Sequence, residues 1–380
     1  MRILELTSDW KWTGPAEPLV HAVVGLRARG HEVDAAFPVA PPDHPGALAE
    51  RARERGVEPA YVPARGQGYL PVRDGGEVRR LRAFLRRRDY DVVHAQHARA
   101  HIVARLAARG SRTRVIASWT HGEPIPAGFW NRWLYGPRGC DGLTVLSEAL
   151  AADARARLGG LPERVAVVPG AVDSARFAPR PAGARLRAEL GILPEQRVIG
   201  LVARLQPHRR VELVLEALSL ALHRAPGLRL LVVGRGTNAR EVLEEPVARL
   251  GLGAAVVSAG YRLGDYLDTL ALLDALVFIV PGSDGSCRAV LETMALEIPT
   301  IASRRGVLPE TVAADETGVL CDESPASLAA AFADLWRDPA RWKARGKAAR
   351  RRILEQHTLE RQAERLERHY HERSQVREKL

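Results

Sequence analysis

A chain of 380 residues exceeds what one hydrophobic core usually organises, so two domains are expected. Its 46% hydrophobic and 27% charged residues are those of a soluble globular enzyme, and three scattered cysteines (Cys140, Cys287, Cys321) exclude a disulfide framework or a CxxC zinc site. The net charge of +11 comes from arginine, with lysine only at positions 11, 343, 347 and 379; its spread along the chain argues against nucleic acid as a partner.

The chain opens directly on a strand-like run, "RILEL", without the apolar core of a signal peptide. Further runs follow at "HEVDAAF", "DVVHAQ", "RVIAS", "GLTVLS" and "VAVVPG", with helical patterns between them, among them 18–29 and 147–158. A Pro/Ala/Arg-rich stretch, Phe177 to Leu190, then interrupts the pattern. The second half repeats it: strands at "RVIGLVARL", "LRLLVVG", "AVVSAG", "ALVFIV", "PTIAS" and "GVLCD", helices near 211–224, 240–250, 287–295 and 325–336. Continuous apolar runs separated by helices read as buried parallel strands of doubly wound sheets. The expected architecture is α/β: two Rossmann-like domains facing a central cleft, over 1–180 and 190–338, with a charged helical tail over 339–380 that packs back on the N-terminal domain or stays solvated. The most apolar segment, "LDTLALLDALVFIVPG", is cut by Asp268 and Asp274 and is too short to span a bilayer. A cytoplasmic protein is expected.

Ligands of open parallel sheets bind beyond the carboxyl ends of the strands, so residues there are the candidates. After "ALVFIV" comes "PGSDGSCRAVLETMALEIPT". It offers Asp284, small residues at Gly285, Ser286 and Cys287, then Arg288 and Glu292 in a helix. A helix N-terminus is an anion site, and small residues admit a phosphate to the backbone. The two acids suit sugar hydroxyls; their simpler roles are a helix cap and a surface group. "VARLQPHRR" places Arg204 and Arg209 after another strand, where forked donors match phosphate oxygens or form a solvated basic turn. "GRGTNAREVLEE" has Gly234 and Gly236 at a strand–helix turn, short of a full dinucleotide fingerprint.

In the first half, His121 follows "RVIAS", and "HAQHARAH" carries His94, His97 and His101. The i,i+4 pair His97/His101 can ligate metal on a helix but lacks a third ligand, and Asp89/Asp91 sit at a strand start, so no metal site is assigned. Five of seven tryptophans lie here. Trp10, Trp12 and Trp119 offer aromatic faces that suit a sugar ring, or they fill the core. "EVRRLRAFLRRRDY" combines a basic face with Leu81, Phe84 and Leu85, the pattern of a solvated helix or one resting on anionic lipid.

Taken in order, these segments resemble the retaining GT-B glycosyltransferases of family 4 (glycosyl transferases group 1) from Met1 to about Trp336. "GPAEPLVHAVVGLRARGHEV" is similar to the family's N-terminal glycine loop, helix and strand; "VAVVPGAVDSARFAP", "VARLQPHRRVELVLEAL" and "PGSDGSCRAVLETMALEIPTIAS" resemble its later signatures. The resemblance implies transfer of a sugar from a UDP-, GDP- or ADP-sugar to a sugar or lipid-linked acceptor hydroxyl, without metal or cofactor, in polysaccharide or glycolipid synthesis. If the basic helix "EVRRLRAFLRRRDY" rests on anionic lipid, a peripheral position at the inner membrane face and a lipid-linked acceptor follow. The resemblance puts Glu292 on the donor ribose, Asp284 at the donor sugar, Arg204 and Arg209 on the diphosphate, Gly14 beside the leaving phosphates and His121 near the transferred sugar.

The departures are specific. Asp284 stands for Glu; Ser286 and Cys287 for Phe and Gly; Pro15, Arg210 and Glu297 for glycines; Gly170 for Asn; Leu296 for Cys. They leave an alternative: a non-catalytic GT-B partner subunit with a degenerate donor site.

Overall fold

The computed structural model describes residues 1–12, 16–41, 48–66, 68–159, 162–262, 264–281 and 285–377. Gly14, Pro15 and Asp284 lie outside the described residues. The chain forms two compact units. One comprises residues 1–171, 283–286 and 359–380; the other comprises 172–282 and 287–358.

The first unit carries a seven-stranded sheet built from β1 (Arg2–Leu6), β2 (Glu32–Ala36), β3 (Pro59–Tyr61), β4 (Val92–Ala95), β5 (Arg114–Ser118), β6 (Gly142–Val145) and β7 (Val165–Val167). Its order is β3-β2-β1-β4-β5-β6-β7, every neighbour parallel. β1 is central because its side chains are buried on both faces: Ile3 and Leu4 are inaccessible to solvent, as is Glu5. The edge strand β3 has no apolar run to announce it, since all three of its residues remain partly or fully exposed. The helix Leu359–Arg377 belongs to this unit and sends Ala363, Leu366 and Tyr370 into the core beside Leu19, Val23 and Leu26 of the helix Glu17–Ala28.

The second unit repeats the plan with six strands: β8 (Arg197–Val202), β9 (Leu228–Val233), β10 (Val256–Gly260), β11 (Ala275–Phe278), β12 (Thr300–Ser303) and β13 (Gly318–Cys321). The order is β10-β9-β8-β11-β12-β13, again all parallel. The helix Val211–Leu222 covers it through Val211, Val214, Leu215 and Leu218, one stripe at helical spacing. The helix Pro325–Arg337 starts where Ser324 accepts a hydrogen bond from the Ser327 amide, with proline in the first turn.

One expected helix, 240–250, is broken. A π-helical turn, Arg240–Glu244, precedes the α-helix Glu245–Arg249. Pro246 has no N–H to return to the preceding turn, which widens instead. Among the described residues no helix is long and apolar enough to cross a membrane.

Candidate functional site

Each sheet has one point where strand order reverses. In the first it lies between β1 and β4, in the second between β8 and β11. Loops leaving the carboxyl ends of such strand pairs diverge and open a crevice, so chemistry is expected there.

In the second unit, the loop after β8 holds Arg204, which is exposed and has no hydrogen-bond or ion-pair partner among the described residues. Arg209, half-buried, donates from Nη1 to the Val280 carbonyl at 2.8 Å, just beyond β11. The two loops flanking the reversal are thereby tied together. The loop after β9 presses against them: the Leu205 amide donates to the Arg235 carbonyl, and a Cβ on Gly234 or Gly236 would lie 1.9 Å from Ala203 O or 2.0 Å from Leu205 O. No other residue fits at either position.

Beyond β11, Gly285 and Ser286 form a turn, and Cys287 caps the helix Arg288–Ala295. Cys287 is buried and takes a left-handed backbone, φ 53°. Arg210 (φ 55°) and Glu297 (φ 64°) do the same. These are three of the positions where the sequence departs from a glycine of the family pattern. A side chain there costs about 1–2 kcal/mol, so surrounding contacts hold a backbone that glycine would adopt freely. Arg210 has such a contact, a 2.7 Å ion pair with Glu323, whose carboxyl is held below its ordinary pKa by hydrogen bonds from Arg305 and Arg210.

Glu292 is not a surface residue. It is 5% exposed; Tyr266 Oη donates to its Oε2 at 2.7 Å, and Arg288 Nε stands 3.6 Å from its Oε1. Tyr266 was not legible as a site residue, because nothing in its local sequence points to a carboxylate 26 positions away.

In the first unit, His121 is exposed but its ring lies on Trp119, centroids 4.7 Å apart, and partial desolvation lowers its pKa from the ordinary value. Trp119 is fixed in turn: its Nε1 donates to the Glu123 carbonyl at 2.7 Å and its ring meets Tyr135 edge-on. Trp10 is half-buried with the Lys11 ammonium 5.5 Å from its ring centre, and Trp12 packs on the core beneath the Arg55 guanidinium.

The three histidines of "HAQHARAH" serve separate partners. His97 Nδ1 meets Thr7 Oγ1 at 2.8 Å, and burial lowers its pKa. His101 Nε2 bonds the Gly139 carbonyl at 3.1 Å, and burial pushes its pKa down to about 4. His94 joins a buried chain: Nδ1 lies 3.1 Å from Glu5 Oε1 and 2.7 Å from Tyr370 Oη, Nε2 lies 2.7 Å from Ser118 Oγ, and Ser118 Oγ lies 2.8 Å from Thr144 Oγ1. Gln96 donates to the other Glu5 oxygen at 3.2 Å. This chain floors a small cavity of about 40 Å³ at the ends of β4, β5 and β6, with Trp119 and Thr120 also on its wall. Asp89 pairs with Arg112 and Asp91 accepts from the Arg2 amide at 2.7 Å, both structural contacts.

Two family models match the chain, "Glycosyltransferase Family 4" over residues 19–176 and "Glycosyl transferases group 1" over 184–352. A D-inositol 3-phosphate glycosyltransferase of Kineococcus radiotolerans is 30% identical over 363 residues, covering 88% of this chain and 78% of the relative. The chain belongs to the family 4 glycosyltransferases. This glycosyltransferase is also 28% identical to the GDP-mannose-dependent alpha-(1-6)-phosphatidylinositol monomannoside mannosyltransferase of Mycolicibacterium smegmatis, over 90% of its own length and 91% of that protein's. A further match to an inositol-phosphate enzyme is confined to 49% of this chain and 42% of the relative. Among solved structures, Anabaena HepE in complex with UDP superposes with a TM-score of 0.80 at 18% identity, covering 97% of this chain and 99% of that one; the likeness is one of fold, GT-B.

Proposed function

We propose that this glycosyltransferase moves a hexosyl group from a nucleotide diphosphate sugar to an acceptor hydroxyl with retained configuration and without a metal at the reacting centre. The observation that carries the reading is Glu292: a buried carboxylate, oriented by Tyr266, in a helix whose cap, Cys287, takes a left-handed backbone where the family pattern has glycine. Glu292 accepts the ribose hydroxyls. Arg204, Arg209, Arg288 and the helix start at Gly285, Ser286 and Cys287 neutralise the diphosphate as the bond to the sugar breaks. Each charge-assisted bond of this kind contributes about 1.5–3 kcal/mol. Gly14, Asp284 and Gly234 complete the donor contacts. The acceptor hydroxyl attacks from the face the leaving group departs, and its proton passes to the leaving phosphate oxygen, so no protein base is required. His121 holds the transferred sugar.

The acceptor half belongs to residues 1–180 and the donor half to 190–338. The relatives act, by name, on inositol-bearing acceptors, one of them a lipid. A polyol or lipid-linked acceptor is assigned to the space outside the polar floor made by His94, Gln96, Ser118 and Thr144, whose own cavity of about 40 Å³ is too small for a sugar ring, with Trp10, Trp12 and Trp119 as aromatic faces. Membrane contact would be electrostatic. The helix Pro71–Arg88 spends Leu81 and Leu85 on the core, while Arg79, Arg86 and Arg87 are exposed with no partner among the described residues. Flotation with anionic vesicles is expected at low salt and lost at high salt; no flotation at low salt removes the membrane contact.

Turnover tests the whole reading. The purified chain is offered UDP-, GDP- and ADP-sugars with inositol phosphate and phosphatidylinositol acceptors, and the product anomer is read by NMR. One donor consumed with retention is expected. An inverted product contradicts the mechanism, and no turnover with any donor favours the non-catalytic partner subunit.

A further inference from the structure

Away from the residues discussed above, three ligand-bearing side chains converge on the surface of the first unit. His31 immediately precedes β2, and Glu367 and His371 stand one turn apart on the helix Leu359–Arg377, so both face the same way. One ligand atom from each lies within 4.8 Å of the other two. His31 is almost fully buried, and its Nε2 is 2.8 Å from Glu367 Oε1. The two imidazole rings have centroids 6.2 Å apart and are tilted by 51°.

We propose that His31, Glu367 and His371 form a binding site for a divalent transition-metal ion of the zinc type, fastening the C-terminal helix to the start of β2. Two imidazoles and one carboxylate make a donor set for Zn2+ and its neighbours, whereas Mg2+ and Ca2+ take oxygen. The pair His31–Glu367 is explained by its own hydrogen bond; the arrival of a second imidazole at the same point is not. Metal–ligand bonds of about 2.0–2.2 Å need the donor atoms slightly further apart than hydrogen-bond contact on one side and closer on the other. His31 Nε2 and Glu367 Oε1, now 2.8 Å apart, separate slightly, and the exposed His371 side chain moves inward.

The neighbouring charges are compatible. Arg29 Nε donates to Glu367 Oε2 at 2.7 Å, which leaves Oε1 for the ion and orients the carboxylate as an outer-shell partner does. His31 Nδ1 faces the Met1 nitrogen at 3.4 Å, so its other nitrogen carries the ligand role. Glu364, Arg368 and Glu372 line the same surface hollow, two acids against one further arginine. Three protein ligands leave a position for water, and the ion exchanges with solvent. The role is structural; none of these residues belongs to the proposed transfer machinery.

The test uses the full chain without an affinity tag. Zn2+ uptake is measured by calorimetry and elemental analysis, with Mg2+ as the control and the thermal midpoint followed in parallel. His371→Ala, at an exposed position, keeps the fold; His31→Ala removes the buried ligand. The expected result is one Zn2+ per chain, a raised midpoint with Zn2+ only, and at least tenfold weaker binding with loss of the midpoint shift in both variants, while sugar transfer by His371→Ala is unchanged. No stoichiometric uptake, or uptake that either variant leaves unaltered, overturns the proposal.

Discussion

The two reversal points differ in how they are built. In the second unit, the loops at the reversal are short contiguous stretches, 203–210, 234–236 and 287–292, each of which carries its own backbone demand. In the first unit, the equivalent floor is a hydrogen-bonded chain drawn from β1, β4, β5, β6 and the C-terminal helix, with Glu5 and Tyr370 separated by 365 positions. A ligand site that depends on backbone shape is written locally; one that depends on buried side-chain partners is written across the whole chain.

The largest expected effect sharpens this comparison in the first unit. His101 is held neutral in the fold with a pKa of about 4, against about 6.5 unfolded. Its contribution is therefore fully present above about pH 6.5 and is lost as pH falls towards 4, by about 3 kcal/mol in all. Urea midpoints measured between pH 7 and 4 are expected to fall less steeply for His101→Gln than for the wild type. Equal slopes would mean that the histidine is solvated.

Next is Tyr370→Phe. Removing the hydroxyl leaves Glu5 and His94 short of a partner in a buried place, which costs about 1–3 kcal/mol. Because Tyr370 comes from the C-terminal helix, hydrogen exchange of β1 and β4 amides is expected to speed up along with the loss of stability. A loss confined to the helix itself would break the claim that this helix completes the floor.

In the second unit, Tyr266→Phe leaves Glu292 without its orienting donor. Nucleotide affinity is expected to fall several-fold, about 0.5–1.5 kcal/mol, in a calorimetric titration that leaves the thermal midpoint of the free chain nearly unmoved. The smallest effect has the opposite sign. Glu297→Gly relieves a left-handed backbone and is expected to stabilise by roughly 0.5–1 kcal/mol, the relief less the added freedom of the unfolded chain. Arg210→Gly gains the same relief but loses its ion pair to Glu323, so its midpoint is expected to move less.

Strand by strand, the sequence was legible wherever a run of apolar residues marks the strand, even at the edge strand β10, none of whose residues is buried. All six strands of the second sheet stand on the apolar runs that announce them, and so do β1, β2, β4, β5, β6 and β7 of the first. β3 was not legible, since an edge strand of three partly exposed residues carries no pattern. In the candidate site, Arg204, Arg209, Gly234 and Gly236 could be named from their places at strand ends, and Glu292 from its place in the helix that follows β11. Their partners could not: Tyr266, the Val280 carbonyl and the carbonyls of Ala203 and Leu205 enter only once the loops are folded. The left-handed cap at Cys287 could be inferred only from the glycine it replaces.

The central claim is that the second unit binds a nucleotide through Glu292 and the arginines after β8. Calorimetric titration of the purified chain with UDP, GDP and ADP, repeated on Glu292→Ala and Arg204→Ala, tests it most directly. The account predicts that one nucleotide binds the wild type and that each variant weakens it at least tenfold, Glu292→Ala also for the nucleoside monophosphate. Binding that survives both substitutions, or no binding of any nucleotide by the wild type, would contradict it.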